Sequence, residues 1–250
     1  MSARDETRIC LACNEDGFGP SAFGYYIARE LISCWADSGK LLRLTVLNHA
    51  AEHFNRQLYR DSAVDVRPID SLIRLPKPDG EVHVQQTLQR LRSYAEHRTA
   101  YADAVRDVLE RCDVAIDIGV PLFARAAAQF KIPVRLTVFD HSWAATLRLI
   151  AAEEWAHIYR ANPMPGIIER QQAGEIAARI EEDEATASDV FLFEEYITPQ
   201  EFVAHWKRLG IAPRMLPGVL GPGGRRDEGR ARLDVALQEY GQRPAPPEPR

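Results

Sequence analysis

An α/β protein is predicted from this sequence, with a Rossmann-like doubly wound parallel sheet over residues 1–220. Three observations lead there. Apolar runs of strand length alternate with stretches of helical periodicity from Arg8 to about Leu216. The opening unit reads strand, glycine-containing loop, helix, strand. Polar and titratable residues gather just past the strand ends, where open parallel sheets bind their ligands.

The first strand is RICLAC, ending at Cys13, and its loop, Asn14 to Pro20, holds two glycines and two acids. A helix is expected from Ser21 to Trp35, with Ser21 as N-cap and Phe23, Ile27, Leu31 and Cys34 at helical spacing. Leu41–Asn48 is the second strand and Ala50–Arg60 a short helix. Val64–Ile69 and Leu72–Leu75 are weaker strand candidates before the breaker PKPDG at Pro76–Gly80. One long helix is expected from Val84 to Cys112. Its apolar stripe suits packing on the sheet better than a coiled-coil partner.

The strand Asp113–Gly119 precedes a helix from Pro121 through Gln129, since proline favours the first helical position. The strand Val134–Asp140 comes next. The region Ser142–Ile180 reads as helical apart from NPMPG at Asn162–Gly166. The acid run Glu181–Glu184 is expected to be a solvated helix end. A strand beginning at Ser188, a helix Pro199–Leu209 and a short last strand after Pro213 complete the domain. Residues 221–250 read as a linker, one short amphipathic helix (Ala231–Tyr240) and a disordered proline-rich tail.

Composition narrows the function. Of 250 residues, 46% are hydrophobic and 27% charged, as in an ordinary globular chain able to bury a substantial core. The net charge is −5 with no basic stripe, which argues against a nucleic-acid partner. No run approaches the ~20 apolar residues of a transmembrane segment, and no secretory signal follows MSARDETR, so a cytoplasmic protein is expected. Cys10 and Cys13 form a C-x-x-C, but positions three apart on a strand face opposite ways and no second ligand pair follows. Buried structural cysteines are expected, with no metal and no cofactor.

Candidate site residues lie past the strand ends. Gly17 and Gly19 allow a ligand close to the backbone, and the helix start at Ser21 offers N–H groups to an anion or a sugar hydroxyl. Asp16 is the candidate general base, provided burial raises its pKa toward neutrality; an Asx-turn role competes with that. Asp140 and His141 follow another strand and form the second catalytic candidate pair. Asp117, Glu194 and Glu195 are ligand-contacting candidates at two further strand ends.

Three stretches together resemble a family. IPVRLTVFDHSW at 132–143 is similar to a strand and turn that GT-B glycosyltransferases write as I-P-V-x-x-T-x-H-D. SDVFLFEEYITPQEF at 188–202 resembles the last strand of their N-terminal domain. PRMLPGVL at 213–220 resembles the crossing into their donor domain. The resemblance covers about Arg8–Ala231 and implies the N-terminal, acceptor-side half of such an enzyme. The partner implied is a sugar acceptor, with the sugar coming from a nucleotide-sugar donor. The family's turn histidine falls on Phe139, with Asp140 in place and His141 one residue late; its first-loop histidine falls near Phe18, leaving Asp16 as substitute.

The donor half needs roughly another domain of chain. The expectation is therefore a truncated enzyme, a separate donor-binding chain, or lost activity. Two other readings stand beside it. One is a non-catalytic binding or partner subunit. The other is a metal-dependent nucleotidase or phosphatase, because NEDG at Asn14–Gly17 resembles the N-D-D-G of survival-protein nucleotidases; Glu15 and Asp16 would then hold the ion.

Overall fold

The computed structural model describes residues 6–14, 19–36, 39–48, 52–60, 62–70, 84–139, 142–152, 169–193 and 200–216. Its strands are β1 (Glu6–Cys13), β2 (Leu41–Asn48), β3 (Asp65–Pro68), β4 (Val114–Ile118), β5 (Val134–Phe139), β6 (Asp189–Phe193) and β7 (Arg214–Leu216). They form one sheet in the order β3-β2-β1-β4-β5-β6-β7, and every pairing is parallel. The chain steps outward from β1 to β3, then crosses back to lay β4 on the other side of β1. The strand order therefore reverses between β1 and β4, the switch point where doubly wound sheets open a crevice at their C-terminal edge.

The helices are α1 (Gly19–Ala36), α2 (Glu52–Leu58), α3 (Val84–Arg92), α4 (His97–Leu109), α5 (Pro121–Gln129), α6 (Trp143–Ala152), α7 (Arg170–Glu184) and α8 (Gln200–Arg208). Strand alternation sorts them into two layers. Ile9, Leu11 and Cys13 of β1, with Ile116 and Ile118 of β4, pack against Phe23, Tyr25 and Ala28 of α1. Cys10 and Ala12, with Ala115, pack in the opposite core with Leu91, Val105, Phe123 and Ile180 from α3, α4, α5 and α7. The C-x-x-C is thus split between two cores. Burial pushes the Cys13 thiol up to about 12 and the Cys10 thiol well above its ordinary value, which leaves neither reactive at neutral pH.

α1 approaches β1 closely at Gly24, where a Cβ would collide with Cys13 Sγ. No described helix is long and apolar enough to cross a membrane.

Three expectations need correction. α1 begins at Gly19, so Ser21 sits inside its first turn rather than capping it. Buried Ser21 accepts a hydrogen bond from Asn55 Nδ2 at 3.0 Å, tying α1 to α2. The long helix over 84–112 is broken into α3, a 3-10 turn (Tyr94–Glu96) and α4. Ser93 turns its hydroxyl back to the Gln89 carbonyl at 3.2 Å, and the Tyr94 ring is drawn fully into the core, which re-aims the chain.

The third correction concerns the run Glu181–Glu184. Only Glu182 is largely exposed; Asp183 and Glu184 are buried at 0% and 2% exposure. Asp183 accepts from Arg125 Nη1 at 2.8 Å and Arg98 Nε at 3.1 Å, so one carboxylate ties α4, α5 and α7 together. Leu72–Leu75, Asn162–Gly166 and the linker, helix and tail of 221–250 lie outside the described residues.

Candidate functional site

Asp117 occupies the switch point. Register places it beside Ala12, one step before the end of β1, and the chain leaves β1 with Asn14 N–H donating to the Ile118 carbonyl at 3.0 Å. After Asp117 the strand turns sharply. Gly119 takes φ 72°, the left-handed region that a side chain resists, and Pro121 opens α5. The turn leaves the Val120 N–H pointing back, and it donates to Asp117 Oδ1 at 2.5 Å. From β5, the Thr137 hydroxyl donates to Oδ2 at 2.9 Å.

These contacts hold the carboxyl in one orientation but supply no cation. Asp117 is 3% exposed. Burial disfavours its charge and raises its pKa from 3.8 to about 7, against the downward pull of the two hydrogen bonds. A carboxyl fixed at a strand end and poised near neutrality can hold a proton or give it up at physiological pH. Sequence reading placed Asp117 among the ligand contacts. Its titration was not foreseen, because that depends on β1, β4 and β5 closing around it.

A second polar cluster lies past β5. Ser142 caps α6, its hydroxyl accepting from Ala145 N–H at 3.0 Å while donating to Glu184 Oε1 at 2.6 Å. His205 Nε2 stands 2.6 Å from Glu184 Oε2 and 3.3 Å from Ser142 Oγ. Serine, histidine and carboxylate together invite comparison with a nucleophilic triad, and the geometry argues against one. In a triad the two ring nitrogens divide the work, one facing the serine and the other the acid. Here Nε2 faces both, and Nδ1 lies 3.3 Å from Arg208 Nη2. All three side chains are buried, at 0–2% exposure, so no substrate reaches the hydroxyl. The cluster joins the start of α6 to α7 and α8. No local motif announces it; its members are 21 to 63 positions apart.

Of the other candidates, Gly19 is the first residue of α1. Asp16, Gly17, Asp140, His141, Glu194 and Glu195 lie outside the described residues, as does Glu15 of NEDG. Among the described residues, no group of three or more His, Cys, Asp or Glu side chains is arranged to hold a metal ion.

No protein-family model matches the chain, and no curated protein matches it in sequence. Solved structures do match. Phytolacca americana UGT2, complexed with UDP-2-fluoro-glucose and pterostilbene, is 16% identical over 86% of this chain and 54% of its own, with TM-score 0.45. A Polygonum tinctorium UDP-glucosyltransferase capable of glucosylating indoxyl is 14% identical over 87% of this chain and 53% of its own, with TM-score 0.46. A transferase from Siraitia grosvenorii in complex with UDP is 14% identical over 95% of this chain and 56% of its own, with TM-score 0.45. The chain spans about half the length of these structures.

Proposed function

We propose that this chain is the acceptor-side half of a GT-B-type glycosyltransferase and binds a hydroxyl-bearing acceptor at the β1/β4 switch point. One observation carries the reading: a buried, near-neutral carboxyl, Asp117, at the end of β4 beside the β1/β4 switch point, where doubly wound sheets bind their ligands. The resemblance of residues 132–143, 188–202 and 213–220 to that family's motifs supports it independently.

Glycosyl transfer requires that the acceptor hydroxyl lose its proton as its oxygen bonds to the sugar carbon, while the bond from that carbon to the donor's phosphate oxygen breaks and the nucleotide diphosphate leaves with the electron pair. In the proposed assignment Asp16, from the first loop, takes that proton, and Asp140 with His141 lines the same crevice. Gly17, Gly19, Glu194 and Glu195 are the proposed ligand contacts, whereas Ser21, fully buried against Asn55, serves to tie α1 to α2. Asp117, nearly inaccessible itself, is proposed as a positioning residue at the end of β4. The donor site belongs to a second Rossmann half, on a separate chain or on further sequence.

Calorimetry on the chain tests the division of labour. Phenolic and sugar acceptors are expected to bind more tightly than nucleotide sugars, and UDP- or GDP-sugars no better than about millimolar. Micromolar binding of a nucleotide sugar, with no binding of acceptors, would place the donor site here and overturn the reading.

A further inference from the structure

The opposite edge of the sheet holds a cleft that the proposed transfer does not use. Its volume is about 410 Å³, within the range of small-molecule sites. It opens on the N-terminal parts of β1 and β2 and on Arg67 of β3, flanked by the end of α4. Parallel strands covered on both sides normally carry apolar residues on both faces. Here the positions facing the cleft read Glu6, Arg8 and Cys10 on β1, Arg43 and Thr45 on β2, and Arg67 on β3. Arg111, Val108 and Cys112 close the other side.

Charge in the cleft is unbalanced. Arg67 is satisfied, donating from Nε to Asp65 at 2.7 Å and from Nη1 to Asp107 at 2.6 Å. Arg8 and Arg43 stand side by side in register and share one carboxylate, Glu6. Arg43 Nε donates to its Oε1 at 2.8 Å, and Arg8 Nε and Nη2 donate to its Oε2 at 3.2 and 2.9 Å. Arg111 makes no ion pair with any described residue. Four guanidiniums, those of Arg8, Arg43, Arg67 and Arg111, thus meet three carboxylates, those of Glu6, Asp65 and Asp107, which leaves one positive charge in excess in a protein whose net charge is −5. A merely solvated charged face has no reason to place an unmatched cation in a concavity.

We infer that this cleft binds a small organic phosphate, with the Arg43 and Arg111 guanidiniums on the phosphate oxygens and Thr45 within the same pocket. The planar fork of arginine matches a phosphate's paired oxygens, and a phosphate monoester supplies the negative charge that the cleft lacks. Val108 and Cys112 offer an apolar wall to the organic group. The cleft lies at the N-terminal edge, so its ligand would act as a second, remote occupant relative to the switch-point crevice.

Calorimetry of the full chain with phenyl phosphate at low salt tests this. Saturable binding is expected, with at least a ten-fold loss in Arg111→Ala and a smaller loss in Arg111→Lys, which keeps the charge without the fork. Because Arg111 makes no ion pair with any described residue, the circular dichroism and melting temperature of Arg111→Ala should match those of the parent. Lys207→Ala, an exposed cation on α8, is the control and should bind as the parent does. Citrate distinguishes a general polyanion site from a phosphate site and is expected to bind less tightly. No saturation by about 10 mM phenyl phosphate, equal losses in Arg111→Ala and Lys207→Ala, or citrate binding as tightly as phenyl phosphate would each overturn the assignment.

Discussion

Asp117 and Asp183 are both buried aspartates, yet their surroundings have little in common. Asp183, at 0% exposure, is held by two arginines: Arg125 on one oxygen, Arg98 on both. Asp117, at 3%, has a backbone N–H, a threonine hydroxyl and no cation among the described residues. Enclosing a charge costs free energy that only a counter-charge and good hydrogen bonds offset. The α4–α5–α7 clamp meets that requirement and reads as architecture. The switch point does not meet it, and its carboxyl is driven toward the neutral form. A buried acid held by hydrogen bonds without an ion pair is one whose protonation can change near neutral pH, which the clamped Asp183 is not built for.

The largest effect should come from breaking the compensated side. Asp183→Ala leaves Arg98 and Arg125 facing a vacated position, two like charges without their shared anion. Removing one partner of a buried pair costs about 3–5 kcal/mol. The lower end is expected here, because the Arg98 and Arg125 side chains remain 19% and 39% exposed and water can reach them. Urea denaturation of the variant measures it. A loss under about 1 kcal/mol would mean that the clamp adds little and that the contrast with Asp117 is overdrawn.

Asp117→Asn should act in the opposite direction. The amide oxygen can accept from Val120 N–H, and the amide N–H₂ can donate to a reoriented Thr137 hydroxyl, so both hydrogen bonds survive. What disappears is titration. The folded pKa of about 7 lies above the ordinary 3.8, so the wild-type carboxyl's contribution is fully present below about pH 4 and is lost as pH rises through 7. Asparagine has no such loss. The variant's stability relative to wild type should therefore grow by about 2–3 kcal/mol between pH 5 and pH 8, at 1.36 kcal/mol per pH unit. Melting temperatures of both proteins across that range provide the check. A difference that stays flat with pH would show that Asp117 does not titrate there.

This contrast was half legible in the sequence. Periodicity located the strands and most helices, and Pro121 marked the start of α5, because strand and helix patterns are local. Asp117 could be placed at a strand end for the same reason. Its burial depends on β1 and β5 flanking β4, a long-range arrangement that the local pattern does not encode. The run Glu181–Glu184 misled because charge runs are ordinarily solvated. The arginines that claim Asp183 are 85 and 58 positions away in the chain. The 84–112 stripe continued through Ser93 and Tyr94 without a proline or glycine, so the break left no local mark.

The smallest expected effect sharpens the comparison at a third buried carboxylate, Glu184, which has hydrogen bonds on both oxygens and belongs to neither extreme. Ser142→Ala removes the hydroxyl that caps α6 and donates to Glu184 Oε1. His205 Nε2 still meets Oε2 at 2.6 Å, so the acid keeps its stronger partner. The loss is then one N-cap and one hydrogen bond, about 1–2 kcal/mol together. Ser142→Thr, which retains a hydroxyl, should recover part of it. A denaturant midpoint for Ser142→Ala as low as that of Asp183→Ala would show that the Ser142–Glu184–His205 cluster, rather than the arginine clamp, is the principal tie of α7 to its neighbours.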